Sequence, residues 1–206
     1  MLGACDDYQV AAPGGLNVIR VANYVVPPAE CRRAHTKTIS PNVARAMQVE
    51  YLADHWDRLQ EVAELHHGEW PSPELGDSIE ARERTLSTCC RRGEIPLGVI
   101  ALDQNALCGF ALLVPQDFEL RPNLSPWLAG VFVRPQYRMR GVGSALAMRI
   151  AREAKALGFE TLYLYTAHSE TLYGRLGWKV LERCFHNNRN YAVMSLKQTD
   201  PPVFGL

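Results

Sequence analysis

Arg138-x-x-Gly141-x-Gly143 is the pattern in this chain whose residue types and spacing suit chemistry most directly. It follows an apolar run, Trp127 to Val133, and a turn at Pro135, and a helical pattern begins immediately after it. A strand, a basic glycine loop and a helix in that order turn backbone N–H groups and a positive helix end toward an anion such as a phosphate. The glycines let the backbone approach the anion closely. Arg138 and Arg140 add charge-assisted donors, and the helix end contributes roughly half a positive charge. Two common nucleotide cradles are excluded. A dinucleotide fingerprint needs a glycine where Leu146 stands, and no Gly-Lys-Ser/Thr is present for a Walker loop. A plain helix start is the competing reading of the same residues.

Bulk properties make any anion site a local one. The 206 residues carry 22 Lys+Arg and 22 Asp+Glu, so no global field draws the chain to nucleic acid or to an anionic membrane. No apolar run approaches the ~20 residues of a membrane helix. The six cysteines form no C-x-x-C pair and no cluster with zinc spacing, so no metal is expected. No secretory pattern precedes them, which predicts reduced thiols and a cytoplasmic location. The adjacent Cys89 and Cys90 read as packing residues.

The elements that must hold the glycine loop can be read from periodicity. Residues 1–44 differ from the rest: Ala11-Ala-Pro-Gly-Gly15 and Val25-Val-Pro-Pro-Ala29 are linker chemistry, leaving an arm or an extra strand between them. Met47 to Leu52 alternates as a strand. Asp54 is the expected N-cap of a helix with Leu59, Val62, Ala63 and His66 on one face, ended by Gly68. A loop through Trp70 and Pro71 leads to a second helix, from Asp77 or Ser78 to about Arg91. Leu97–Leu102 and Leu107–Val114 form a hairpin about Asp103–Ala106, and 115–126, with three prolines, is a long loop. The helix from Gly141 to Leu157 buries Val142, Leu146, Ile150, Ala154 and Leu157, with Arg149, Arg152, Glu153 and Lys155 pointing away. Thr161–Thr166 reads as a covered strand, Ser169–Leu176 as a short helix, and 178–183 and 191–196 as two last strands joined by a turn at Asn187–Asn190. Strand 127–133, helix 141–157 and strand 161–166 make a right-handed parallel crossover. The rest is antiparallel, so the expected fold is a mixed α/β sheet with helices on its faces.

At this point the chain resembles a known family. Arg138-x-x-Gly141-x-Gly143 after Val131-Phe-Val-Arg-Pro135 is similar to the acetyl-CoA signature of the Gcn5-related N-acetyltransferases (GNAT superfamily). Leu172-Tyr173-Gly-Arg-Leu-Gly177-Trp178 is similar to the family's Leu-Tyr-x-x-x-Gly-Phe segment. The resemblance covers about 46–197. It implies an acetyltransferase domain over 45–198, between the 1–44 extension and a 199–206 tail, with the acyl-CoA N-acyltransferase fold: α+β, mostly antiparallel, with one splayed parallel strand pair. It implies acetyl-CoA as donor, its pantetheine arm paired with main chain of Val131, Phe132 and Val133. The pyrophosphate would be held by Arg138, Met139, Arg140, Gly141, Val142, Gly143 and Ser144. Tyr173 would face the sulfur and give the leaving thiolate its proton. The attacked carbonyl would find its oxyanion donor in a backbone N–H near Val133. Thr166 stands where relatives often carry an asparagine, which puts one cofactor hydrogen bond in question.

The strand Trp127–Val133 has no carboxylate, whereas many relatives place their base there. Glu69 is the preferred base, with Asp117, Glu119 and His168 as loop alternatives; His66, His67 and His186 read as surface or helix-end residues. Trp70, Phe118 and Trp127, with the nearby acids, would line an acceptor side suited to a cationic amine. His66-x-Gly-Glu-Trp-Pro71 followed by Arg82 also loosely resembles enzymes that acetylate acidic actin N-termini. The leading expectation is therefore transfer of acetyl to a primary amine of a small molecule, polyamine or aminoglycoside-like, by direct attack in a ternary complex. A peptide α-amine or lysine is the enzyme alternative, and a catalytically silent acyl-CoA-binding module is the alternative of another class. A homodimer is left open, with residues 1–44 as a contact.

Overall fold

The computed structural model describes residues 47–72 and 76–198. The 1–44 extension and the 199–206 tail lie outside them. Seven strands form one sheet in the order β1-β2-β3-β4-β5-β7-β6: β1 Gln48–Tyr51, β2 Leu97–Asp103, β3 Ala106–Val114, β4 Trp127–Val133, β5 Thr161–Thr166, β6 Lys179–His186 and β7 Arg189–Lys197. Every pairing is antiparallel except β4 with β5. Among the described residues four α-helices flank it: α1 Leu59–Glu69, α2 Ile79–Ser87, α3 Val142–Ala156 and α4 Glu170–Arg175. This is the expected mixed sheet with one parallel pair.

Both hairpin turns carry consecutive positive-φ residues, Gln104–Asn105 and Asn187–Asn188. That backbone matches the strand twist in two-residue loops. The final hairpin is accordingly tighter than the sequence suggests, and β6 and β7 run to His186 and from Arg189.

Alternation along the strands divides the core between the two faces of the sheet. Phe110, Leu112, Ala129, Phe132 and Val193 pack with α1 and α2 on one face. Val99, Ala111, Leu113, Leu128, Leu162, Leu164 and Met194 pack with Leu146, Ile150 and Ala154 of α3 on the other.

Three boundaries differ from the sequence reading. Asp54 does not cap α1: two 3₁₀ turns, Leu52–Asp54 and Trp56–Arg58, intervene, and the Asp54 carboxylate binds Arg92. Gly68 lies inside α1, which ends at Glu69. A helical glycine costs about 1 kcal/mol, but the extra turn buries Trp70 against Phe110 and Phe132. α2 stops at Ser87, because the fully buried Cys89 draws the chain down, its carbonyl accepting from Gly98 N–H at 2.8 Å.

Nor do Arg149 and Glu153 point away. Arg149 Nε donates to Glu153 Oε1 (2.6 Å) and its NH1 to the Val49 carbonyl (2.5 Å). The Tyr51 hydroxyl donates to Glu153 Oε2 (2.6 Å), and the guanidinium lies 4.6 Å over the Tyr51 ring. These contacts brace the edge strand β1 against α3.

Candidate active site

The site begins where β4 and β5 part. Their parallel ladder consists of one register pair, Trp127 with Tyr163. Beyond it the β4 edge through Val131, Phe132 and Val133 has no strand partner on the β5 side among the described residues. On its other side β4 is held to β3 through a register shift between Phe110 and Leu112, opposite Gly130 at φ 56. Only glycine takes that conformation without strain. The bulge re-aims the strand just before its unpaired stretch.

The glycine loop stands at the open end. Pro135–Tyr137 makes a 3₁₀ turn, and Gly141, at φ 80, precedes α3 in the left-handed conformation. The first helical bond of α3 runs from Ala145 N–H to the Gly141 carbonyl, and no side chain caps the helix. The N–H groups of Val142, Gly143 and Ser144 therefore have no partner within the helix. A Cβ added at Gly143 would sit 3.7 Å from Val133 Cγ2 and 3.9 Å from Leu172 Cδ2. Gly143 thus faces the gap between the end of β4 and α4. An unpaired strand edge, uncapped N–H groups and a glycine in the gap fit an extended ligand ending in phosphates.

The arginines take separate positions. Arg138 folds back, its Nε donating to the Val133 carbonyl at 2.9 Å, and braces the end of β4. Arg140 is exposed and lies 5.8 Å over Tyr137, and Met139 is fully exposed at φ 59.

Tyr173 is 7% exposed on α4, within the α3-side core, its ring edge-on to Trp178 at 6.0 Å. No hydrogen bond to its hydroxyl is present among the described residues, and burial pushes its pKa upward. Such a phenol keeps its proton at neutral pH and has it to give. The Thr166 side chain accepts from Ser169 N–H at 3.0 Å and caps the entry to α4.

The acceptor-side expectations need correction. Trp127 is 0% exposed, its Nε1 donating to the Leu124 carbonyl, and Phe118 (3%) and Trp70 (6%) are also core rings. Phe118 stacks on Tyr165 at 4.4 Å and meets Trp127 and Tyr191. Apolar burial favours these rings in the core over lining an open cleft, and they reach a ligand only if their neighbours move. His66 is likewise no surface residue but buried, and burial together with the Arg82 charge lowers its pKa to about 3. Arg82 has no acceptor atom, so its NH1 donates to Nδ1 at 3.4 Å and fixes the proton of the neutral ring on Nε2. Asp77 holds Arg82 (2.6 Å) and accepts from Ser72 N–H (2.6 Å), and these bonds depress its carboxyl pKa.

Among the proposed bases, Glu69 ends α1 half-buried, and desolvation raises its carboxyl. Glu119 pairs with His186 at 2.7 Å. His168 is exposed. Asp117 departs most from its expected state: it is 3% exposed rather than a solvated loop acid, and burial alone raises it well above the carboxylate range. The sequence offered only a weak signal for either buried group, a polar residue inside an apolar pattern, Val62-Ala63-x-x-His66 and Val114 to Phe118. Among the described residues there is no cluster of metal ligands, and no helix is long and apolar enough to cross a membrane.

A splayed parallel pair beside an uncapped helix is a cleft suited to a ligand with an extended arm and an anionic end. Residues 59–178 match the Acetyltransferase (GNAT) family model, and the chain belongs to that family. Its fold is shared by an aminoglycoside 6'-N-acetyltransferase complexed with coenzyme A (19% identity over 75% of this chain and 99% of that one, TM-score 0.58). It is shared by the Salmonella typhimurium protein yncA with its cofactor acetyl-CoA (14%, 77% and 97%, 0.55). It is shared too by mutant forms of the spermidine/spermine N-acetyltransferase from Vibrio cholerae (17%, 75% and 96%, 0.57). No curated protein matches the sequence.

Proposed function

We propose that this acetyltransferase moves the acetyl group of acetyl-CoA to a primary amine of a small cationic molecule, polyamine or aminoglycoside-like, by direct attack in a ternary complex. The observation that carries the reading is the parallel pair joined only at Trp127 and Tyr163, with uncapped N–H groups of α3 at its open end. Acetyl-CoA supplies an activated thioester. The free edge of Val131, Phe132 and Val133 holds its extended arm by main-chain hydrogen bonds and orients the carbonyl, so proximity supplies much of the rate. The N–H groups of Val142, Gly143 and Ser144, with Arg138 and Arg140, hold the pyrophosphate. Tyr173, kept protonated by burial, gives its hydroxyl proton to the departing sulfur. Free thiols at Cys89, Cys90 and Cys108 support a reducing compartment, the cytoplasm.

A thiol-release assay with acetyl-CoA and spermidine, spermine, kanamycin and a peptide with a free α-amine tests the acceptor class. Turnover is expected with the polyamines or the aminoglycoside. Turnover confined to the peptide, or none with any amine, overturns the small-amine reading.

A further inference from the structure

Asp117 carries the most unusual side chain in the described chain. It lies three residues beyond β3, in the loop that leads into β4. Its Oδ1 has no exposed surface and, among the described residues, no hydrogen-bond partner. The groups that could answer it are engaged elsewhere. Gln116 Nε2 donates to the carbonyls of Phe118 (2.8 Å) and Arg121 (3.4 Å). Arg121 binds Glu182 of β6, and His186 of β6 binds Glu119. The rings packed around the adjacent Phe118 add the phenols Tyr165 of β5 and Tyr191 of β7. None of these groups contributes to the shift of Asp117, which has burial as its sole cause. A buried oxygen without a donor costs on the order of 1–3 kcal/mol, so it calls for an explanation beyond packing.

What this carboxyl lacks is a cation that donates hydrogen bonds, which is what a primary ammonium is. β4, with no acid of its own, follows on the same loop, and Asp117 is itself only 3% exposed to water. We propose that Asp117 docks the acceptor's primary ammonium and takes its proton. On docking, the proton that free Asp117 carries leaves to solvent; the ammonium N–H bond then breaks, an O–H bond forms on the resulting carboxylate, and the neutral amine keeps the lone pair that attacks the thioester. In a dry site the neutral acid and neutral amine are favoured over the ion pair, so the nucleophile is released where it is used. Asp117 and Tyr173 then divide the proton transfers, Asp117 at the amine and Tyr173 at the sulfur. This assignment rests on the proposed amine acetylation.

Titration calorimetry on the full chain with coenzyme A tests the dock without requiring turnover. n-Butylammonium is bound at pH 6 in two buffers of different ionisation heat. Burial shifts free Asp117 toward its protonated form, and both the ion pair and the neutral pair contain one proton fewer than free acid plus ammonium. Protons, up to one per amine bound, are therefore released, and n-butanol releases none. Asp117→Asn, nearly isosteric and checked by its thermal melt, abolishes the release. With any amine that turns over, this variant lowers kcat/KM by about 10²-fold or more while the KM for acetyl-CoA stays unchanged, and Asp117→Glu recovers part of the loss. Failure of n-butylammonium to bind, binding without proton release, or an unaltered kcat/KM in the variant overturns the assignment. If no amine is acetylated but the Asp117-dependent release persists, the acetyl-transfer reading fails and the ammonium dock stands.

Discussion

Gly109 offers the sharpest test of how the sheet presents β4. It pairs with Val133 where β3, β4 and α3 meet. A Cβ built there would lie 2.3 Å from the Phe132 carbonyl oxygen, 3.2 Å from Val133 Cα and 3.3 Å from Leu146 Cδ1. The closest of these is backbone, held on the next residues by Arg134 N–H donating to the Cys108 carbonyl at 2.9 Å. To restore ordinary contact, Phe132–Val133 must move by about 1 Å in an interior packed too densely to absorb it. Overpacking of this kind costs about 1–3 kcal/mol, and at about 2–4 °C per kcal/mol for a chain of this size Gly109→Ala should lower Tm by roughly 2–12 °C. The displaced segment is the one proposed to hold the pantetheine arm, and a 1 Å misplacement can cost about 10²-fold in rate. The matched control is Gly68→Ala, at an exposed helical position with nothing within 4 Å of the new Cβ, where stability should hold or rise by up to about 1 kcal/mol. Melting curves and acetyl-CoA kinetics on both variants decide the matter. A Gly109→Ala protein that melts and turns over like the control would refute the tight strand approach and its link to donor binding.

Four further outcomes follow from the same geometry. Gly143→Ala should fold at least as well as the parent, because its Cβ meets only ordinary contacts, yet raise the KM for acetyl-CoA about tenfold, roughly 1.4 kcal/mol; an unchanged KM would remove Gly143 from the donor site. Tyr173→Phe should lower kcat by about 10²-fold with little change in acetyl-CoA affinity, and an unchanged kcat would end its role as acid. The Asp117 carboxyl is raised in the folded state, so its contribution is most favourable at low pH and is lost as pH rises through the raised value. The Tm of Asp117→Asn relative to the parent should therefore climb between pH 4 and 8, and a constant difference would contradict the burial argument. His66 is held neutral down to about pH 3 whereas the unfolded ring protonates near 6.5. Lowering the pH from 7 to 5 should thus destabilise the parent by roughly 2 kcal/mol more than His66→Phe in urea titrations, and parallel losses would refute it.

The sequence by itself settled the order of strands and helices and the parallel crossover around the glycine loop. Each is written in local signals: apolar runs for covered strands, a 3.6-residue stripe on α3, and glycines where the backbone turns or approaches a ligand. Hairpin turns and the Leu172–Trp178 segment were legible for the same reason. Residues whose state depends on what lies across the fold were not. Trp127 and Phe118 have the composition of a binding lining, yet the folded sheet packs them against Tyr163, Tyr165 and Tyr191. Arg149 and Glu153 look like a solvated helix face, but β1 lies against them. Asp117 in a proline-rich loop reads as solvated, because nothing local shows that the loop folds it inward. Burial and hydrogen-bond satisfaction depend on distant chain segments, so only the tertiary structure decided which acid became a buried carboxyl with an Oδ1 unpartnered among the described residues.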